Sequence, residues 1–199
     1  MEQFSIHLIM PNKVYEVNVE QVEDLDSKEP RFRVKIRNPQ EETDSTTFRI
    51  HINALSFSEY LNDQKERKIG LSFKILLSRI LHDMLLHRFQ EIVSQGHIYF
   101  QSSYKEFFPG ENKSENETQK VLTDILKSWI YVYPQRTISF EDIFVSTNIS
   151  ETLLRRAINL FIAAEKIKLQ DNEYSIETKF AEEIIKALIT INKNSSINL

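Results

Sequence analysis

The sequence predicts an α+β chain of two domains, and three observations predict it. Four short segments within residues 2–52 alternate apolar and polar side chains with period two, as half-buried strands do. A longer segment, 71–95, repeats apolar residues every three or four positions, as an amphipathic helix does. From 118 to 191 the pattern runs helix, short strand, helix, turn, helix, hairpin, helix. The expectation is an antiparallel four-stranded sheet covered by a long helix over 1–108, a linker at 109–117, and a helical domain at 118–191. Residues 192–199 are expected to form a disordered tail.

Composition narrows the function classes before any motif is considered. Glycine occurs only at Gly70, Gly96 and Gly110, each at a segment boundary. Phosphate-cradling loops need several glycines so that backbone N–H groups can approach the anion, so a P-loop or dinucleotide-binding enzyme is excluded. The chain has no cysteine, which removes disulfides, thiolate metal sites and cysteine nucleophiles. No HExxH, paired-carboxylate or Ser/His/Asp order is present, so no enzyme, cofactor or metal is expected. The apolar-rich stretch Leu71–Val93 is interrupted by Lys74, Arg79, His82, Asp83, His87 and Arg88, which argues for a helix on a protein core and against a membrane span. Met1-Glu2-Gln3-Phe4 lacks the basic and apolar regions of a secretory signal, so a cytoplasmic location is expected.

Net charge is −4. Residues 1–117 hold 15 basic and 19 acidic side chains and residues 118–199 hold 10 of each, so neither half is basic enough to bind nucleic acid by bulk charge. Any such contact has to come from a local patch.

Taken in order, Phe4, Ile6 and Leu8 face away from Gln3, Ser5 and His7, and Tyr15, Val17 and Val19 alternate with Glu16, Asn18 and Glu20. Phe32, Val34 and Ile36 alternate with Arg31, Arg33, Lys35 and Arg37, and Phe48, Ile50 and Ile52 alternate with Thr47, Arg49 and His51. Turn chemistry at Pro11-Asn12 and Asn38-Pro39, with the acidic stretch Glu23–Glu29 as a longer connection, makes a meander the simplest topology. Arg31, Arg33, Lys35, Arg37, Arg49 and His51 form a basic strip suited to phosphates. Glu16 and Glu20 lie within cross-strand reach of it, so a solvated salt-bridge ladder is the leading reading.

A short helix is expected at about 56–65, and Gly96 sits where a left-handed residue commonly closes a helix. Asp83 and His87 are spaced i,i+4, which fits a helix-surface ion pair better than a metal site without a third ligand. The aromatic segment His97–Phe108 is expected to pack on the first domain, with a base-stacking platform as the alternative.

Ser114-x-x-Glu117 has capping-box spacing before the next helix, Ser139-x-x-Asp142 repeats the signal, and Ser150 caps a helix over Glu151–Glu165. Ile167–Leu169 and Tyr174–Ile176 flank Gln170–Glu173, expected as a four-residue hairpin loop, and a closing helix follows from about Thr178.

This order over residues 118–191 resembles the winged helix-turn-helix superfamily. The resemblance implies that the third helix enters the DNA major groove and that the hairpin, the wing, touches the backbone. On a helical wheel Leu153, Leu154, Ala157, Leu160, Phe161 and Ala164 share the core arc, while Thr152, Arg155, Arg156, Asn159, Ala163 and Lys166 lie opposite. Arginine suits guanine edges or phosphates and asparagine suits adenine, so Thr152, Arg155, Arg156, Asn159 and Lys166 are candidate DNA contacts, with Lys168 and Arg136 on the backbone. The implied role is DNA binding in transcription regulation, with the N-terminal domain supplying dimerisation or partner binding. Two features favour a protein partner instead. The wing tip Asp171-Asn172-Glu173 is acidic, and Ile158 and Ile162 lie at the edge of the exposed arc, which suits a protein interface. The alternative is therefore an adaptor in a multiprotein complex.

Overall fold

The computed structural model describes residues 3–22, 31–40, 45–52, 73–100, 113–134 and 137–196. The chain is α+β, and it divides into two compact units. One comprises Met1–Leu8 and Tyr15–Pro109, the other Ile9–Val14 and Gly110–Leu199. Among the described residues no helix is long and apolar enough to cross a membrane. The expected helix at about 56–65, the acidic connection 23–29, residues 101–108 and Arg136 lie outside the described residues.

Strands β1 (Gln3–Met10), β2 (Lys13–Val22), β3 (Arg31–Arg37) and β4 (Ser45–Ile52) follow one another across the sheet as the alternation predicts. At the β1–β2 turn proline fixes the first position, and Asn12 takes the left-handed conformation at φ 62°, which asparagine tolerates better than most residues. Phe32, Val34, Ile36, Phe48 and Ile50 are buried on one face, and the polar alternates point outward.

A fifth strand, β5 (His97–Phe100), pairs parallel with β4, with Ile50 opposite Ile98. The sheet is thus larger than the expected four strands. The chain reaches β5 through the long helix α1 (Phe73–Gln95), and a helical crossover returns a strand parallel, whereas a tight turn returns it antiparallel. Helix α1 buries Leu76, Leu77, Ile80, Leu81, Met84, Leu85 and Ile92, and Phe89 stacks on Tyr15 at 5.8 Å between ring centres. Its backbone leaves the helical region at Arg88 (φ −130°, ψ 20°), so it is two helical segments joined at a kink. Asp83 and His87 form the i,i+4 pair at 3.5 Å.

The second unit holds helices α2 (Glu115–Val132), α3 (Phe140–Val145), α4 (Glu151–Ala163) and α5 (Thr178–Ser196), with strands β6 (Ile138–Ser139), β7 (Ile167–Gln170) and β8 (Glu173–Ile176). Strand order is β6–β8–β7, all antiparallel. Three serine caps start three helices. Ser114 and Glu117 make both halves of a capping box on α2, Ser139 accepts from the Asp142 N–H at 3.0 Å, and Ser150 caps α4 through Leu153. The first turn of α2 therefore occupies part of the expected linker, and α5 runs through residues expected to be a tail. Segment Ile9–Val14, which the sequence places in the first domain, belongs to this unit. There the Ile9 N–H donates to Ser146 Oγ at 2.8 Å and the Asn12 N–H donates to Ser128 Oγ at 3.2 Å.

The β7–β8 loop has two residues, not four. Asp171 and Asn172 both have positive φ, 51° and 65°, the backbone of a turn whose twist matches the paired strands. Helix α4 ends in a Schellman motif: the Lys166 N–H donates to Phe161 O at 2.9 Å and the Glu165 N–H to Ile162 O at 3.0 Å. Glu165 sits at φ 55° without being glycine. In the first unit Gly96 closes α1 at φ 68°, its N–H donating to Ile92 O at 3.0 Å, and an added Cβ would meet nothing within 4 Å.

These two ends make opposite forecasts from one cause. Glu165→Gly relieves left-handed strain and should stabilise the protein by about 0.5–1 kcal/mol after the extra unfolded-state entropy of glycine. Gly96→Ala introduces the same strain without a clash and should cost about 1 kcal/mol. Urea unfolding of the two variants checks this, and a destabilised Glu165→Gly protein would contradict it.

Candidate functional site

The exposed face of α4 carries the residues selected from the sequence. The Ser150 cap fixes where the helix begins, and Leu154, Ala157, Ile158 and Phe161 anchor its inner face. That leaves Thr152, Arg155, Arg156 and Asn159 exposed together. With Glu151 and Leu160 they line an open groove of about 510 Å³.

Three assignments around this helix change, and one is Ala164, which the wheel places in the core arc and the structure leaves exposed at the helix end. Ile158 is 1% exposed and belongs to the core, so it is no part of any docking surface. At about 100° per residue it lies roughly 40° from Leu154, within the buried arc, whereas Leu160 lies roughly 120° away. Leu160, assigned to the core from the wheel, is 39% exposed and forms part of the groove. Ile162 is half-buried.

The cations of the face are engaged within the chain. Arg155 Nε donates to Glu151 Oε1 at 2.8 Å, and its guanidinium lies 3.9 Å from the Phe140 ring centre. Arg156 pairs with Glu115 at 3.4 Å, tying α4 to the first turn of α2. Lys166 is half-buried, with its ammonium over the rings of Phe161 and Phe180 at 5.0 and 5.2 Å. Lys168 pairs with Glu177, and the hydrogen bond to that carboxylate raises the lysine pKa above its ordinary value. On the hairpin Glu173 accepts from the Thr137 hydroxyl, and Asp171 and Asn172 form an exposed tip without a cation.

Glu151 could have been found from the sequence, because it stands i,i+4 from Arg155. Glu115, Phe140 and Glu177 could not, since they reach the face only through the packing of other elements. Arg155 and Arg156 remain 53% and 68% exposed as side chains, so each pair is a surface ion pair worth about 0–1 kcal/mol.

In the first unit the outer face of the sheet bears the basic strip. Register places Glu16 opposite Arg37 and Glu20 opposite Arg33, and both pairs close, at 3.0 and 3.2 Å. The expected salt-bridge ladder is present at these two rungs. Arg49 stands directly opposite Arg33 on β4, and Lys35 stands between Asn18 and Thr47. Among the described residues no group of three or more His, Asp or Glu side chains is placed to hold a metal ion.

No protein-family model, curated protein or solved structure matches this chain.

Proposed function

We propose that the second unit is a winged-helix-like module that docks a partner protein, making the chain a non-enzymatic adaptor. The element order helix–strand–helix–helix–hairpin–helix and the strand order β6–β8–β7 support the winged-helix likeness. One observation carries the choice of protein over DNA. Arg155, Arg156, Lys166 and Lys168, the described cations of the candidate DNA face, are each held by a carboxylate or by aromatic rings of the same chain. A DNA-binding face gains its affinity by giving lysine and arginine to phosphates, and here that exchange begins by breaking internal pairs. A protein interface instead wants an apolar centre with a charged rim. Leu160, 39% exposed beside Asn159 and Thr152, and Leu169, 56% exposed on β7, supply apolar anchors.

DNA remains the second reading because Thr152, Arg155, Arg156 and Asn159 share one open groove. The ion pairs there are cheap to exchange.

A pull-down from native lysate, with and without nuclease, separates the two. The adaptor reading expects a co-purifying protein that survives nuclease and is lost with Leu160→Glu, a surface change that leaves the fold intact. The DNA reading expects salt-dependent retention of duplex that disappears in the double variant Arg155→Ala/Arg156→Ala. Partner binding unchanged by Leu160→Glu, or abolished by nuclease, overturns the adaptor reading.

A further inference from the structure

We infer that the outer face of the five-stranded sheet binds the phosphate backbone of single-stranded nucleic acid, through Lys35, Arg49 and Arg33. The face gathers Arg31, Arg33, Lys35 and Arg37 from alternate positions of β3 and Arg49 from β4. Among the described residues, Arg33, Lys35, Arg37 and Arg49 share this face with the two carboxylates of β2, Glu16 and Glu20. Those carboxylates are committed to Arg37 and Arg33, and no ion pair of Lys35 or Arg49 occurs among the described residues.

The register makes the arrangement costly. Arg33 and Arg49 are direct cross-strand neighbours, and like charges so placed repel. A glutamate at position 49 would complete the ladder begun by Glu20 and Arg33. An arginine there worsens the free protein and improves it only when an anion bridges the two guanidiniums, whose planar forks suit phosphate oxygens.

Composition of the face selects the partner. Among the described residues its exposed neighbours are Asn18, Ser45 and Thr47, none of them a large apolar side chain. A protein partner needs an apolar centre to its interface, and these described neighbours supply none. An extended acidic peptide gains most of its affinity by adding to a sheet edge, and β3 and β4 are interior strands with both edges paired. A duplex is read by an element that enters a groove, which the middle of a sheet does not offer. A flexible single strand can lay successive phosphates along a straight row of cations, with no main-chain pairing required.

Fluorescence anisotropy of the full chain with a labelled oligothymidylate of about 16 nucleotides tests this. With Lys35, Arg49 and Arg33 each given to a phosphate, the affinity should fall roughly twenty-fold between about 50 and 200 mM salt. Lys35→Glu/Arg49→Glu should weaken binding at least tenfold while the thermal midpoint holds or rises, because glutamate at 49 meets Arg33. Glu20→Gln, which releases Arg33, should tighten binding. Arg155→Ala/Arg156→Ala should leave it unchanged, which separates this site from the α4 face. Absence of binding at low salt, equal binding by the Lys35/Arg49 double variant, or tighter binding of a duplex or of polyglutamate overturns the inference.

Discussion

Ile158→Asp should unfold the second unit, whereas Leu160→Asp on the same helix should leave it folded. Ile158 is 1% exposed and shares the inner face of α4 with Leu154, Ala157 and Phe161. An aspartate there must either stay charged without a partner or take up a proton, and either way apolar burial is lost. The cost should exceed about 4 kcal/mol, near the whole stability of a small domain. Leu160 is 39% exposed, so a carboxylate at that position keeps most of its water. The sole tryptophan, Trp129, is buried in the same unit, and its fluorescence reports the unfolding directly. An Ile158→Asp protein with wild-type fluorescence and melting would return this residue to the surface and reopen it as a docking contact.

Trp129→Ala should be the most damaging truncation in α2. The indole is 2% exposed and lies 4.8 Å from the Tyr133 ring, and Tyr133 N–H donates to Trp129 O at 2.7 Å where the helix ends. Removing it leaves a cavity in the core of the second unit, and such truncations cost about 3–5 kcal/mol. Trp129→Phe keeps most of the apolar volume and should lose much less. Urea unfolding followed by far-ultraviolet circular dichroism measures both, since the fluorophore itself is removed. A midpoint shift for the alanine variant equivalent to less than about 1 kcal/mol would mean that α2 is not central to this core.

Local signals in the chain carried most of the architecture. Period-two alternation was enough for β1 to β4, because a residue on a strand has only two faces to choose between. Ser114, Ser139 and Ser150 marked helix starts, since a side-chain oxygen there satisfies an N–H that the helix leaves unpaired. Gly96 marked the end of α1 for the matching reason at the other terminus. Strand β5 was not legible. Four residues are too few to establish a period, and the partner strand lies nearly fifty positions earlier in the sequence.

The end of α4 shows a different limit. A glutamate is a poor advertisement for a left-handed residue, yet the Schellman bonds to Phe161 and Ile162 hold Glu165 there. Ile158 and Leu160 exchanged places for a related reason. A helical wheel orders residues around an axis, but which direction is inward depends on the elements packed against it.

By itself the sequence determined the fold class, most element boundaries and the collection of Thr152, Arg155, Arg156 and Asn159 on one helix face. All of these follow from interactions within a few residues, where backbone geometry fixes who meets whom. Only the tertiary structure decided which of those groups are already occupied. Arg156 with Glu115, Lys168 with Glu177, and Arg33 facing Arg49 across two strands are contacts between separate elements. Charge acts through space, so a row of cations in the sequence says what a surface can offer, and the packing of distant carboxylates sets what remains to be given to a partner.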